Sequence, residues 1–226
     1  MKIGIIVAMD KELNLLLPLL EDCRHIQSAG LDHYEGLLDG TPVVVAKCGI
    51  GKVNSAITAL TLIDRLGVDM IINTGVAGGT GSDAGILDIV VGDRIAYHDT
   101  WCGPGTTPGQ AAECPLYFTN PAIIDRLRDL PGVKTGLIAS GDIFVAYPDD
   151  LERILRVHPD AMAVDMESAS IAHVCHLRGV PFVSIRVVSD TPGKDNNISQ
   201  YENFWTDAPE RTFRILKEVL PRIKEI

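Results

Sequence analysis

Acidic side chains stand directly after several apolar runs of this sequence. Asp165 and Glu167 follow one such run, and Asp190 ends the next one along the chain. Glu12 lies just past the first apolar run. If these runs are parallel strands, their carboxyl ends form the crevice in which α/β proteins bind ligands, so the acids are expected to face one pocket. Grouped carboxylates can donate a proton, accept one, or stabilise a developing positive charge.

Each of these acids also has an ordinary structural explanation. Glu12 and Glu167 lie near the starts of predicted helices, where a carboxylate complements the helix dipole. Asp190 begins a segment rich in turn-forming residues. The acids alone leave both interpretations open. Their common position after strands, shared with the segments 75–81 and 140–144, favours one composite site.

Apolar runs alternate with helical patterns along the chain, which indicates an α/β fold. Strands are predicted at 2–8, 33–38, 42–48, 70–74, 86–98, 133–140, 161–164 and 182–188. Helices are predicted from residue 10, at 53–66, from residue 121, from about residue 150, at 168–178 and at 208–223. Asp39-Gly40 predicts a hairpin, and Asp10 is the predicted cap of the first helix. We therefore predict that residues 1–226 form a single domain, a three-layer α/β/α sandwich with a central mixed β-sheet.

Three segments are predicted as loops, at 75–81, 100–116 and 190–199. The first is rich in glycine and can offer backbone N–H groups to a polar ligand. The second contains Trp101 and has no periodicity. A loop of that length in a compact domain is often a binding or interface element.

Neither glycine-rich segment fits a cofactor motif. Gly51-Lys52 precedes a helix, but Ala46 and Val53 occupy the positions at which a phosphate loop needs glycine and Ser/Thr. Gly79-Thr80-Gly81 leads into a predicted strand, whereas a dinucleotide fingerprint leads into a helix. We therefore expect no cofactor.

A metal site is not predicted either. His173 and His176 lie one turn apart on a predicted helix, with Cys175 between them. Two histidines of this kind do not complete a zinc site, and no second ligand pair lies near them in sequence.

The composition limits the partners and the location of the protein. A net charge of −10 argues against a general nucleic-acid or anionic-membrane surface. The five cysteines have no framework spacing, which indicates free thiols in a reducing cytosol. Cys102 and Cys114 share one loop and could form a bridge, although free thiols are the simpler interpretation. The first apolar run is too short for a signal peptide, so a cytoplasmic location is expected.

Six segments carry a resemblance that covers nearly the whole chain. They are IGIIVAMDKE at 3–12, GIGKVN at 49–54, NTGVAGG at 73–79, SGDIF at 140–144, VDME at 164–167 and RVVSD at 186–190. In combination they resemble the 5′-methylthioadenosine/S-adenosylhomocysteine nucleosidase family of the nucleoside phosphorylase superfamily. The resemblance implies a nucleoside phosphorylase-like fold, a homodimer, and hydrolysis of the N-glycosidic bond of adenosines with a 5′ thio substituent.

The resemblance assigns a catalytic role to four residues. Glu12 would activate water with help from Arg186, Glu167 would hold the ribose hydroxyls, and Asp190 would protonate adenine. The chemistry agrees with three acids. Adenine leaves poorly as an anion, so a ring nitrogen must gain a proton. The departing sugar becomes cation-like, and a further carboxylate must activate water on its other face.

The remaining implied residues form the binding surface. Phe144 would stack on the base, Val145 would offer it backbone hydrogen bonds, and Met166 would lie under the sugar. Ser189 could orient the carboxyl group of Asp190. The other predicted contacts are Met9, Ile50, Val76, Ala77, Gly78 and Asp165.

Two features depart from the family pattern. Asp165 stands where the family often has glutamate, which shortens the reach of its carboxylate. The segment from Trp101 to Pro115 is unlike the family's loop, which helps to enclose the 5′ group near the dimer interface. The sequence therefore does not rank 5′ substituents, and cleavage of futalosine or of nucleotides stays open within the hydrolase interpretation.

Two other functions compete with hydrolysis. A purine or uridine phosphorylase of the same fold would need several basic donors for phosphate, and the strand-end motifs supply only Arg186 and Lys52. A non-catalytic adenosine sensor would not need three carboxylates. Both alternatives are less consistent with the motifs than a nucleosidase.

Overall fold

Ten strands form one mixed sheet in the computed structural model, which describes residues 1–28, 30–81, 83–109, 116–207 and 211–224. The strands are β1 (Ile3–Val7), β2 (Glu21–Ser28), β3 (Leu31–Leu38), β4 (Thr41–Lys47), β5 (Met70–Gly79), β6 (Ile89–Tyr97), β7 (Tyr117–Phe118), β8 (Val133–Ser140), β9 (Ala161–Asp165) and β10 (Phe182–Asp190). The helices are α1 (Asp10–Leu16), α2 (Lys52–Asp64), α3 (Pro121–Leu127), α4 (Pro148–Val157), α5 (Ser168–Arg178), α6 (Asn197–Asp207) and α7 (Arg211–Ile223), with a 3₁₀ turn at Leu17–Leu19.

The sheet closes on itself over half of its strands. β5 pairs with β10, β10 with β6, β6 with β8, β8 with β9, and β9 with β5. From β5 the sheet continues outward through β1, β4 and β3 to the edge strand β2. The closed part has no free edge, so its backbone groups are paired around the ring.

Alternate residues of the central strands enter two different cores. Ile3, Ile5 and Val7 of β1 pack with α1, α3 and α7, whereas Ile6 packs with α2 and α5. This alternation follows from the two-residue period of a strand, and it places helices on both faces of the sheet. The predicted α/β/α sandwich with a mixed sheet is confirmed.

Strand ends from both halves of the sheet meet at Gly78. β1, β4, β5 and β10 run parallel, so their carboxyl ends lie at one edge. The last residues of β5 cross the end of β9, where Gly78 pairs with Val164, and Gly78 also pairs with Asp190 of β10. Ser140 at the end of β8 is the register partner of Asp165. The segments that follow these strands therefore converge.

The predicted loop at 75–81 is wrong over its first five residues, because β5 continues to Gly79. Its backbone is paired on both sides, with Gly75 opposite Arg186 and Gly79 opposite Ala163. These ladder bonds outweigh the weak strand preference of glycine.

Other boundaries differ for local reasons. β2 was not predicted, because its residues are almost all exposed and show no apolar alternation; an antiparallel ladder with β3 holds it. β6 begins at Ile89, after Leu87 with a φ of +72°. The predicted loop 190–199 is wrong from Asn197, where α6 begins. The hairpin at Asp39-Gly40 is confirmed.

The predicted loop 100–116 is described only in part. Residues 110–115, and with them Cys114 of the alternative bridge, lie outside the described residues. Trp101 is 62% exposed. Over the described ranges, no helix has the length and apolar character needed to cross a bilayer.

Candidate active site

One cleft opens where the strand ends converge. This is the place at which α/β sheets bind small molecules. All the residues that the sequence and the resemblance assigned to the site line this cleft: Met9, Glu12, Ile50, Val76, Ala77, Gly78, Phe144, Val145, Asp165, Met166, Glu167, Arg186, Ser189 and Asp190. The cleft is further lined by Ala8, Ile143, Val164, Pro192 and Tyr201.

Glu12 is buried and held by three backbone N–H groups. Its Oε2 accepts from Ala8 at 2.8 Å and from Met9 at 3.0 Å, and its Oε1 accepts from Val76 at 3.2 Å. Burial raises the pKa of Glu12, while the Arg186 charge and these bonds act in the opposite direction. Met9, and not Asp10, is the N-cap of α1, so the predicted cap is wrong; the Asp10 carboxylate binds Lys47 outside the cleft.

Gly75 makes room for Glu12. A Cβ atom at this position would lie 2.2 Å from Glu12 Oε1 and 2.8 Å from Arg186 Nη1. Gly75 also has a φ of +151°, in a region that side-chain-bearing residues rarely adopt. Glycine is therefore required here both by the backbone and by the two charged groups beside it.

Arg186 is a buried cation surrounded by acceptors. Its Nη2 lies 2.5 Å from Asp165 Oδ2 and 3.5 Å from Glu167 Oε2. The same nitrogen donates to Asn73 Oδ1 at 2.5 Å. Removing one partner of such a buried pair leaves an uncompensated charge, so these groups fix one another in place.

Asp165 is engaged mainly with the protein. Besides Arg186, its carboxylate accepts hydrogen bonds from the hydroxyls of Ser140 and Ser168. The Ser168 hydroxyl also lies 2.7 Å from that of Ser184. With its oxygens committed in this way, Asp165 serves the site chiefly by holding Arg186.

Glu167 joins two segments at the cleft wall. Its Oε1 accepts from the backbone N–H of Gly51 at 3.0 Å, and its Oε2 faces Arg186. Burial is the main cause that raises the pKa of Glu167 to about 7, with Asp165 and Glu12 adding repulsion and Arg186 opposing it.

Asp190 is buried at the end of β10. Ser189 Oγ donates to its Oδ1 at 2.6 Å, and Asn197 Nδ2 donates to its Oδ2 at 2.5 Å. Burial raises the pKa of Asp190 above its usual range, while the two donors act in the opposite direction. A raised pKa is what a carboxyl group needs to retain a proton for transfer.

Part of the cleft lining is apolar and aromatic. Phe144 is 48% exposed, whereas Val145 beside it is buried. The Phe144 ring meets that of Tyr201 edge to face, with centroids 5.6 Å apart. The Tyr201 hydroxyl donates to Met9 Sδ at 3.4 Å.

Comparison with known proteins identifies the family. A family model described as the phosphorylase superfamily matches residues 2–221. The 5′-methylthioadenosine/S-adenosylhomocysteine (MTA/SAH) nucleosidase of Desulfotalea psychrophila is 35% identical over an alignment of 232 positions. The alignment covers 100% of this chain and 99% of that protein. The chain belongs to the MTA/SAH nucleosidase family.

Two solved structures of the MTA/SAH nucleosidase family are similar over their whole length. The S-adenosylhomocysteine nucleosidase of Streptococcus pyogenes, in complex with 5-methylthiotubericidin, is 36% identical with a TM-score of 0.92, over 99% of this chain and 97% of that one. The Streptococcus pneumoniae MTA/SAH nucleosidase, in complex with 8-aminoadenine, is 34% identical with a TM-score of 0.93, over 99% and 100%.

Sequence reasoning missed two polar residues at the cleft of this MTA/SAH nucleosidase family member. Tyr201 lines the cleft, and Asn197 donates a hydrogen bond to the Asp190 carboxyl group. Both lie on α6, at i and i+4, so they share one face of that helix. Their i, i+4 spacing was the only sequence signal for a shared helix face. It was overlooked because the polar segment 190–199 is typical of a loop.

His173, considered above as a possible metal ligand, has an aromatic environment. Its ring stacks on that of Tyr117 with centroids 5.1 Å apart, and its Nδ1 lies 3.3 Å from the Tyr97 hydroxyl. The ring of His176 is tilted against Tyr117 at 6.0 Å. Both histidines thus lie beside Tyr117, His173 half-buried and His176 exposed.

Proposed function

We propose that this protein hydrolyses the N-glycosidic bond of 5′-thio-substituted adenosines, such as 5′-methylthioadenosine and S-adenosylhomocysteine, and releases adenine and the thioribose sugar. The observation that carries the proposal is the set of three buried carboxyl groups, Glu12, Glu167 and Asp190, around one cleft with an aromatic wall. The names of the relatives support the same substrate class.

Asp190 is the proposed general acid. Its proton passes to a ring nitrogen of adenine while the electron pair of the glycosidic bond moves onto the base, so the base leaves neutral. The raised pKa of Asp190, caused by burial, supports this role. Phe144 and Val145 are the proposed base contacts, by stacking and by backbone hydrogen bonds.

Glu167 and Glu12 act on the sugar and the water. Glu167 binds the ribose hydroxyls, and its negative charge stabilises the cation-like sugar as it forms. Glu12 removes a proton from the attacking water, and the Arg186 charge helps to keep Glu12 ionised despite its burial. Met9, Ile50 and Met166 are the proposed apolar contacts of the sugar and its 5′ group.

Hydrolysis is expected to proceed without phosphate. Among the described residues that line the cleft, Arg186 is the only cation, and Asp165 and Glu167 already neutralise it. A phosphate dianion would also be repelled by Glu12. Adenine and free thioribose should therefore form from 5′-methylthioadenosine at the same rate in phosphate-free buffer and in phosphate buffer, as measured by chromatography. Strict dependence on phosphate, with a sugar 1-phosphate as product, would refute hydrolysis.

The 5′ substituent is best resolved by a substrate panel. Adenosines with a methylthio, a homocysteinyl or an unmodified 5′ group differ only at this position. Comparing kcat/KM across the panel measures how the cleft discriminates between them.

A homodimer in the cytoplasm is the proposed form of the protein. An exposed apolar stripe runs along α2 and the turn before it, at i, i+3, i+7 and i+10: Ile50, Val53, Ile57 and Leu60. Contiguous exposed apolar surface of this kind is typical of an interface. Ile50 also lines the cleft, so an interface on this stripe would border the site.

The Ile57→Glu variant tests the dimer. A buried glutamate on the stripe would be costly without a partner, so this variant is expected to dissociate and to lose most activity. Light scattering at assay concentration measures the mass. Ile86→Glu is the matched control, because Ile86 is also exposed but lies in the turn before β6. A wild-type monomer with full activity would contradict the proposed dimer.

A further inference from the structure

Regular backbone pairing between β10 and β5 is interrupted just before Asp190, so it does not determine the orientation of the Asp190 carboxyl group. The register between β10 and β5 shifts between Val188 and Asp190, so Asp190 lies past an irregularity at the end of its strand. Ser189 is its immediate neighbour in the chain and holds only Oδ1. The second oxygen, Oδ2, must be held from elsewhere.

That contact comes from α6. Asn197 begins the helix, is 1% exposed, and donates from Nδ2 to Asp190 Oδ2 at 2.5 Å. Three residues later, Gln200 accepts a hydrogen bond from the backbone N–H of Thr191 at 2.9 Å. Two side chains on one face of α6 thus bind Asp190, the last residue of β10, and Thr191, which follows it.

The amide oxygen of Asn197, in contrast to its nitrogen, makes no hydrogen bond among the described residues, and this bears on the role of the side chain. Asn197 Oδ1 is buried and has no hydrogen-bond partner among the described residues. A buried unpaired acceptor costs stability, which an apolar side chain of similar size would avoid. The contact with Asp190 is therefore what this amide contributes.

We propose that Asn197 is a positioning residue for the general acid: it orients the Asp190 carboxyl group and stabilises the carboxylate that remains after the proton has moved to adenine. This inference rests on the proposed function. The N–H proton stays on Asn197 throughout, and the only proton transferred is that of Asp190.

Other titratable groups face the same space. Tyr201 lies on the same face of α6, and Glu12 and Glu167 line the cleft. Burial, followed by the charges of Glu12, Asp190 and Glu167, raises the pKa of the Tyr201 phenol, which keeps it neutral during catalysis. Lys194 in the turn before α6 is exposed. Among these groups only Asp190 must lose its proton to adenine in the proposed reaction, so the alkaline limb of the pH profile is assigned to Asp190.

Asn197→Ala and Asn197→Leu test the inference. We expect kcat on 5′-methylthioadenosine to fall about tenfold to a hundredfold, since a hydrogen bond to a charged group is lost, with KM changed only a few-fold. Without this donor the pKa of Asp190 rises further, so the alkaline limb of the kcat profile should move to higher pH. A 5-thioriboside with a nitrophenyl leaving group, which needs no proton, should be cleaved at nearly the wild-type rate.

Asn203→Ala is the matched control, because Asn203 lies on the exposed face of α6. The leucine variant retains side-chain volume at position 197, so packing is largely preserved. If the Asn197 variants behave like the control, or lose activity equally on both substrates, the positioning role is refuted. Failure of the wild-type protein to cleave any adenosine derivative would instead refute the proposed function.

Discussion

Replacing Glu12 by glutamine is expected to reduce turnover by roughly a thousandfold, within the range measured for the loss of a general base. Glutamine has the same shape but cannot take a proton from water. Substrate affinity should be largely retained, because the sugar and base contacts lie on other residues. Rates from single-turnover experiments, together with a binding titration, separate the two effects.

Two further observations make the Glu12 experiment decisive. Asp10→Asn is the matched control, because it also replaces an acid of α1 by the corresponding amide. The Asp10 carboxylate pairs with Lys47 outside the cleft. The pH profile gives an independent readout. Glu12 and Glu167 must both be ionised in the proposed reaction, so activity should fall as the pH drops through their pKa values, which burial raises above the ordinary range. Near-normal turnover in Glu12→Gln would mean that Glu12 only stabilises the start of α1.

Asp190→Asn is expected to lower the rate on adenine substrates by about a hundredfold or more. The amide can still form hydrogen bonds but cannot transfer a proton. A nitrophenyl riboside should be far less affected, because its leaving group departs without protonation. The ratio of the two losses, measured under saturating substrate, isolates the proton transfer.

Asp195→Asn provides the control for this second variant. Asp195 is exposed in the turn between β10 and α6, and it undergoes the same change in charge. The sign of the pH dependence is also fixed. An acid must be protonated, so wild-type activity should decline as the pH rises through the raised pKa of Asp190. Equal losses on both substrates would mean that Asp190 positions the ligand and does not donate the proton.

Much of the fold was readable because its strands are short apolar runs bounded by turn residues. β1 and β10 were predicted for this reason, and their positions put Glu12 and Asp190 at strand ends. β2 was missed because an exposed edge strand has no apolar face, and its conformation depends on pairing with β3. The end of β5 was missed because glycine has a low strand preference and only the ladder partners in β9 and β10 overcome it.

The site residues at strand ends were predictable from the sequence. The site residues on α6 were not. The acids were found from their position in sequence, with their roles supplied by the family resemblance. Tyr201 lines the cleft, and Asn197 contacts Asp190, only because α6 packs against the end of β10. Nothing in a polar decapeptide indicates which of its amides will be buried.

The missing side chain of Gly75 has a consequence for judging uncharacterised relatives of this protein. Glu12 and Arg186 can both be present in a sequence, and a motif search would then label the protein an enzyme. If any other residue stands at the position of Gly75, however, its Cβ would occupy the space of the Glu12 carboxylate. Under the proposed role of Glu12 as the base, we expect such a relative to have moved its base or lost catalysis. Glycine at this position is therefore a criterion for separating active members from pseudoenzymes that retain every acid.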